Sequence, residues 1–421
     1  MTSRHIDPTT LASFAGAAAG HEGVLSDASG DLVIKPCTPA EVAFYEVVNA
    51  SHPELAFYLP RFMGTLQFGD RRPAAVSLPA NSASGTPQAN TDVIEAHVIN
   101  LPATHAPSTS IPPSEISPSA SEVQSTPASS SSTSGTAATL SLADPGPLKG
   151  KKLDTDLHIV LENVSAGFTQ PNILDLKLGA RLWDEAAKPE KRARLDKVAS
   201  ETTSGSLGFR IAGMRVWQGE AKPVPPAPGV ERLEDVVSGD REVKSQHWSI
   251  DKETNHKSYN KFYGRTFTAD NVLQGFKEYF LVPSAGITED HARIVLWNFL
   301  SELRDIEQIL QSKESRMYSS SLLFVYEGNP EAFQRALDAI TNAPVPKRKT
   351  NESNEEGEGD DDEGEEYDDD EEEDLPKVHA VKLIDFAHAK IEDGLGPDEN
   401  MLAGVRSTIR ILETLLKEIS A

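Results

Sequence analysis

The sequence predicts an α+β protein of two lobes, broken by insertions that cannot pack. Short apolar runs read as strands and longer amphipathic patterns read as helices, in a mixture along the chain. The run Leu157-His158-Ile159-Val160-Leu161 leads into Glu162-Asn163-Val164, the position of a hinge between a smaller lobe and a larger one. Residues 79–148 hold no Phe, Tyr, Trp, Lys or Arg and are dominated by Ser, Pro, Ala and Thr. Such a stretch cannot bury enough apolar surface to offset its chain entropy, so disorder is expected there.

In chain order, Leu32 to Pro36 reads as a short strand that delivers Lys35 and stops at Pro36. A helix is expected over 39–50, with Val42, Phe44 or Tyr45, and Val48 on its buried side and Glu41 near its start. These elements, residues 1–78, open the N-terminal lobe, which residues 149–164 complete. The C-terminal lobe, 165–421, begins with strands over Ile173 to Lys177 and Phe209 to Trp217, with a charged helix over 189–201 between them. Residues 220–246, rich in proline, read as a loop. Residues 288–312 carry Ile294, Leu296 or Trp297, Leu300, Leu303, Ile306 and Leu310 at helical spacing, which predicts a core helix. Leu322 to Tyr326 and Val381 to Ile384 are expected as central strands, residues 346–375 as an acidic disordered insertion, and Asn400 to Ile419 as a closing amphipathic helix.

The formal net charge of -25 is concentrated rather than spread. Residues 352–374 carry 17 Asp and Glu without a Lys or Arg, so the remainder is at only -8 and leaves room for a basic pocket. One cysteine, Cys37, excludes an intrachain disulfide and a multi-cysteine zinc site. The apolar run over 11–20 is too short to span a membrane, and Asp7 precedes it. No repeat of 20–50 residues and no Walker-type glycine loop is present, which argues against a P-loop enzyme.

Two acidic groups end apolar β-branched runs: Asp175 in Pro171-Asn172-Ile173-Leu174-Asp175-Leu176-Lys177-Leu178-Gly179 and Asp385 in Leu383-Ile384-Asp385-Phe386-Ala387-His388. A strand end holds a carboxylate rigidly, as a magnesium ligand or a hydroxyl-orienting group requires. Asp175 and Lys177 stand two apart on one strand, so both project from the same face; the plainer alternative is an exposed ion pair. Lys35, in an apolar strand, needs an anionic partner or must reach water along its stem. Lys191, Arg192, Arg194 and Lys197 form a basic ridge at helical spacing that is either a grip for several phosphates or a solvated face.

Together with Thr203-Ser204-Gly205-Ser206-Leu207-Gly208-Phe209-Arg210 and Ser319-Ser320-Ser321-Leu322-Leu323, these two segments resemble the inositol polyphosphate kinase family, over roughly residues 15–75, 153–345 and 376–420. Within it, the block Glu190 to Leu195 running into Ser206 to Ile211 is most similar to the fungal multikinase branch. The resemblance implies a two-lobed kinase-like fold with ATP and Mg2+ between the lobes. It implies Lys35, Glu41, Glu162, Val164 and Asp385 at the nucleotide, Asp385 and Ser321 at the metal, Asp175, Lys177 and Asp385 in catalysis, and Lys177, Lys191, Arg194 and Lys197 on the acceptor phosphates. His388 is either beside the nucleotide or structural.

The expected acceptors are soluble inositol tris- and tetrakisphosphates. A hexakisphosphate kinase is the alternative within the class, and a nuclear scaffold acting through the acidic tract the alternative outside it. The tract and the preceding Pro346-Lys347-Arg348-Lys349 raise an expectation of nuclear and cytoplasmic location and of nuclear or transcription proteins as partners. A monomer is expected, with no direct nucleic-acid binding.

Overall fold

In a computed structural model, the described residues are 10–14, 16, 18, 23–68, 155–220, 247–343 and 376–421, with the backbone of 96–98 and 242–244. The smaller lobe is built on a six-stranded antiparallel sheet of β1 (Ala12–Ser13), β2 (Leu25–Ser26), β3 (Leu32–Pro36), β4 (Phe62–Phe68), β5 (Ala96–Val98) and β6 (Leu157–Glu162), in the order β1-β2-β3-β6-β4-β5. Helices α1 (Pro39–Ser51) and α2 (Pro53–Phe57) are inserted after β3. Thr38 caps α1 by accepting from the Glu41 amide, and Pro39 occupies the first turn, where its missing N–H costs nothing.

The larger lobe is a seven-stranded antiparallel sheet. Its strands are β7 (Pro171–Leu178), β8 (Phe209–Trp217), β9 (Glu242–Lys244), β10 (Trp248–Asp251), β11 (His256–Tyr259), β13 (Ser321–Glu327) and β14 (His379–Ile384), in the order β14-β13-β7-β8-β11-β10-β9. β12 (Ser315–Met317) pairs with β15 (Ala389–Ile391) as a separate ribbon. The helices are α3 (Pro189–Ser200), α4 (Thr203–Leu207), α5 (Lys261–Gly264), α6 (Leu273–Phe280), α7 (Glu289–Ser312), α8 (Pro330–Asn342) and α9 (Glu399–Glu418). One continuous core unites α7 and α9 with the large sheet and takes in Phe44, Tyr45 and Val48 of α1, so the lobes share buried surface. No described helix is long and apolar enough to cross a membrane.

The expected elements recur within a few residues, with four differences. Ile294, expected inside, is 38% exposed, and of the pair 296/297 it is Leu296 that is buried while Trp297 is 64% exposed. The expected Leu300, Leu303, Ile306 and Leu310 are buried, and toward the start of α7 the stripe continues through Leu296, Val295 and Ala292 rather than Ile294. β14 is an edge rather than a central strand; its Leu383 N–H donates to the Tyr58 carbonyl at 2.7 Å, so the loop after α2 covers that edge. The third and fourth lie in the insertions. Ala96–Val98 form an edge strand on β4 within the 79–148 stretch, where Val93, Ile94, Val98 and Ile99 supply β-branched residues. Glu242–Lys244 form a strand on β10 within the expected 220–246 loop. The rest of the 79–148 and 346–375 expectations, and residues 221–241 and 245–246, lie outside the described residues.

Candidate active site

On β7 the leucines Leu174, Leu176 and Leu178 point into the core while Ile173, Asp175 and Lys177 share the other face. The alternation fixes the register, because a slip of one residue would bury Lys177 and expose the leucines. Gly179 ends the strand at φ +90°, and a Cβ there would collide with the Asn400 side-chain amide, which donates to the Arg181 carbonyl. The glycine of the Pro-x-x-x-Asp-x-Lys-x-Gly pattern is therefore needed both for its backbone conformation and for its closeness to α9. Across the sheet, Ile384, Ser321, Lys177 and Arg210 are successive register partners, so the residue before Asp385 and the Lys177 strand position stand in one row.

Asp385 leaves β14 with φ +68°, a left-handed conformation that is costly for a residue with a Cβ. Ser319, at φ +61°, is the other such residue at the site, and its carbonyl accepts from Lys177 Nζ at 2.7 Å. Lys177 Nζ also lies 3.5 Å from Asp385 Oδ2. Lys35 Nζ stands 3.0 Å from Asp385 Oδ1 and 2.8 Å from Glu41 Oε1. Burial opposes the Lys35 charge, but the carboxylates of Asp385 and Glu41 outweigh it and hold the ammonium well above the usual lysine value. Glu41, 2% exposed, also accepts from the Phe386 N–H at 3.2 Å, and the Phe386 ring stacks on Phe44 at 4.6 Å. Glu41 thus ties the lysine and the Asp385 turn to α1.

Asp175 is 5% exposed, and its Oδ1 has no hydrogen-bond partner. Burial pushes its carboxyl up to about 6; Lys177 and the nearby Ser321 hydroxyl pull it down, and Asp385 adds to the rise. Asp175 stands inside β7 rather than at its end, because pairing with β13 and β8 carries the strand on to Leu178, and it is close enough to Asp385 for each carboxylate to influence the other, with Lys177 between them. The Ser321 hydroxyl is fully buried and makes no hydrogen bond of good geometry.

Helix α3 presents its residues unequally. Lys191 turns toward the Asp385 turn and lies 3.4 Å from His388 Nε2, while His388 Nδ1 lies 2.6 Å from Asp184 Oδ2. One tautomer satisfies both contacts: Nδ1–H donates to Asp184 and Nε2 accepts from Lys191. Arg194 is exposed on the flank of the helix. Lys197, 72% exposed and 3.7 Å from Glu201, is rotated by roughly 120° from Lys191 at 100° per residue. The ridge expected from spacing is thus split, with Lys191 gathered to the carboxylates and Lys197 on the outer surface. Asp184 joins the site from no distinctive spacing in the sequence, and Arg210, which ends the Thr203 to Arg210 motif, joins it without a role having been assigned to it from sequence.

At the hinge, the Glu162 N–H donates to the Arg61 carbonyl at 3.0 Å, and the Glu162 carboxylate lies 4.0 Å from Lys382 Nζ. Val164 is buried with Ile173 and Val325, and Leu323 and Ala380 pack against them, which lines the floor behind Asp175 with apolar side chains. No group of three or more His, Cys, Asp or Glu among the described residues is arranged to hold a metal by itself. The donors present, the Asp385 carboxylate and the Ser321 hydroxyl on the neighbouring strand, fit a hard divalent cation whose remaining ligands would be phosphate oxygens and water.

A family model described as inositol polyphosphate kinase matches residues 158–413. The chain is 31% identical over 416 residues to the inositol polyphosphate multikinase of Saccharomyces cerevisiae, covering 94% of this chain and 95% of that one. It is 28% identical to human inositol hexakisphosphate kinase 3 over 61% of this chain and 51% of the relative. Among solved structures it resembles the crystal structure of the inositol phosphate multikinase Ipk2 of S. cerevisiae in complex with ADP and Mn2+, with a TM-score of 0.52 and 25% identity, over 92% of this chain and 100% of that chain.

Proposed function

The chain belongs to the inositol polyphosphate kinase family, and from that premise we propose that it is an ATP-dependent multikinase that phosphorylates inositol tris- and tetrakisphosphates toward the pentakisphosphate. The observation that carries this reading is the meeting of Asp175 and Asp385 around Lys177. The hexakisphosphate kinase is the weaker reading, because that relative shares a lower identity over a shorter part of the chain.

In the proposed transfer, the acceptor hydroxyl oxygen bonds to the terminal phosphorus of ATP, the bond to the ADP oxygen breaks, and the hydroxyl proton goes to Asp175. A carboxyl raised to about 6 is still ionised at neutral pH and is a stronger base than an ordinary aspartate. Lys177, two residues on, meets the charge on the moving phosphoryl group. Lys35, steadied by Glu41, holds the nucleotide phosphates. Asp385, with Ser321 beside it, would hold a divalent cation, with Mg2+ the proposed ion. Bound there, the cation would supply positive charge to neutralise and orient the nucleotide phosphates. The hinge backbone at Glu162 and Val164 serves the adenine, and Lys191 and Arg194 grip acceptor phosphates.

Incubation of the purified protein with ATP, Mg2+ and inositol 1,4,5-trisphosphate tests the reading, with separation of products by anion exchange. New peaks at tetrakis- and pentakisphosphate are expected, and an unchanged profile overturns it. Product formation from the hexakisphosphate alone would favour the second reading. We also propose a nuclear and cytoplasmic location from Lys347-Arg348-Lys349 and the acidic run that follows, to be tested by imaging a fluorescent fusion with and without residues 346–375.

A further inference from the structure

The row of register partners that starts at Ile384 ends on a guanidinium: Arg210 of β8 lies directly opposite Lys177 of β7. Its Nη1 donates to Ser204 Oγ at 2.9 Å, and it makes no ion pair with any described residue. The charges it feels are a like charge, Arg265, and the carboxylate of Asp175. Burial, and then Arg265, draw the Arg210 guanidinium down to about 10.

The juxtaposition is built into the backbone. α5 lies so close to β8 that a Cβ on Gly264 would overlap the Ile211 carbonyl oxygen, and Arg265 is the next residue, capping that helix. Any larger residue at 264 would lift the turn and carry Arg265 away from Arg210. The Arg265 side chain is exposed, lies over the Phe262 ring with its guanidinium carbon 5.6 Å from the ring centroid, and forms no ion pair with a described residue, and Arg210 is half-buried. The Asp175 carboxylate offsets only part of the repulsion between the two guanidinium groups, and an anion that bridges them would relieve the rest. Their planar forks match the oxygens of a phosphate.

We propose that Arg210 and Arg265 form a phosphate subsite on the β8 side of Asp175, away from α3. The proposal rests on the kinase reading above and adds to it. The acceptor is held from two directions, by Lys191 near His388 on one side and by the arginine pair on the other, with the reacting hydroxyl at Asp175 between them. An acceptor therefore needs phosphates on both sides of the hydroxyl that reacts.

The test uses the full-length protein with R265Q and R265E, whose melting temperatures should match wild type because the side chain faces solvent. The Michaelis constant for inositol 1,4,5-trisphosphate should rise roughly tenfold in R265Q and further in R265E, the size of one lost charge-assisted contact, while that for ATP stays within about twofold. R210K, which keeps the charge and loses the fork, should raise the acceptor constant in the same selective way. Unchanged acceptor constants in both Arg265 variants overturn the subsite. If the wild-type protein does not phosphorylate the trisphosphate, the kinase reading fails by itself. Calorimetric binding of the trisphosphate without ATP then decides the subsite, which weaker binding by R265E supports and equal binding overturns.

Discussion

Lys35 Nζ and Asp385 Oδ1, 350 positions apart in sequence, lie 3.0 Å from each other where the two lobes meet. Glu41 accepts from Lys35 and from the backbone of Phe386, so one buried carboxylate fixes both partners of that pair. Replacing Glu41 with Ala leaves the Phe386 amide without its acceptor and Lys35 with a single carboxylate. The expected cost is about 1–3 kcal/mol of stability, read from urea unfolding. Glu41→Gln, which can still accept from the amide, should recover part of the stability while the Michaelis constant for ATP stays raised.

The left-handed backbone of Asp385 separates its conformational cost from its chemistry. Asp385→Ala and Asp385→Gly both remove the carboxylate, and both should lower turnover by at least about a thousandfold, on the order of an essential electrostatic group. Only glycine adopts φ +68° without a Cβ penalty. The glycine variant should therefore be the more stable of the two by about 1 kcal/mol, measured as a difference in unfolding midpoint. Equal stabilities would mean that the turn relaxes once the carboxylate is gone.

Asp175 gives a pH dependence with a definite sign. Its folded value of about 6 lies above the ordinary 3.8, so the folded protein binds the proton more tightly than the unfolded chain. Stability from this group falls as pH rises from about 4 to 6, and the penalty is fully present above 6. Asp175→Asn, which never ionises, should be more stable than wild type at pH 7 by about 3 kcal/mol. The difference should vanish below pH 4. In wild type, the specificity constant for the acceptor should decline below pH 6 as the base becomes protonated. A profile flat through pH 5 would remove Asp175 as the proton acceptor.

The parts of this site that sequence made legible are those encoded locally. Asp175 and Lys177 are two apart in an alternating run, and Asp385 ends one, so strand geometry alone predicts their presentation. What pairing decides was hidden. Arg210 reaches Lys177 only because β7 and β8 shift register between Asp175 and Leu176, an irregularity that no linear pattern announces. Apolar residues at both 296 and 297 allowed two phases for α7, and contact with the sheet through Phe299 and Phe324 selected one. Along α3 a spacing of three drifts by roughly 60° per step around the helix, so the ridge could not stay on one face, and the position of His388 shows that its Lys191 end is the one turned to the site.

That drift yields the sharpest contrast among the basic residues. Lys191 lies against His388, whereas Lys197 pairs with Glu201 on the exposed side of the same helix. A surface pair of this kind is worth well under about 1 kcal/mol, so Lys197→Glu should leave stability and both Michaelis constants nearly unchanged. Lys191→Glu puts a carboxylate among the phosphates it is proposed to bind and beside Asp184, and should raise the acceptor constant by about tenfold or more, with ATP little affected. Arg194→Glu, on the flank, should fall between them. Steady-state kinetics of the three variants orders them, and an acceptor effect at Lys197 as large as that at Lys191 would require the acceptor to lie across the outer face of α3, away from Asp175.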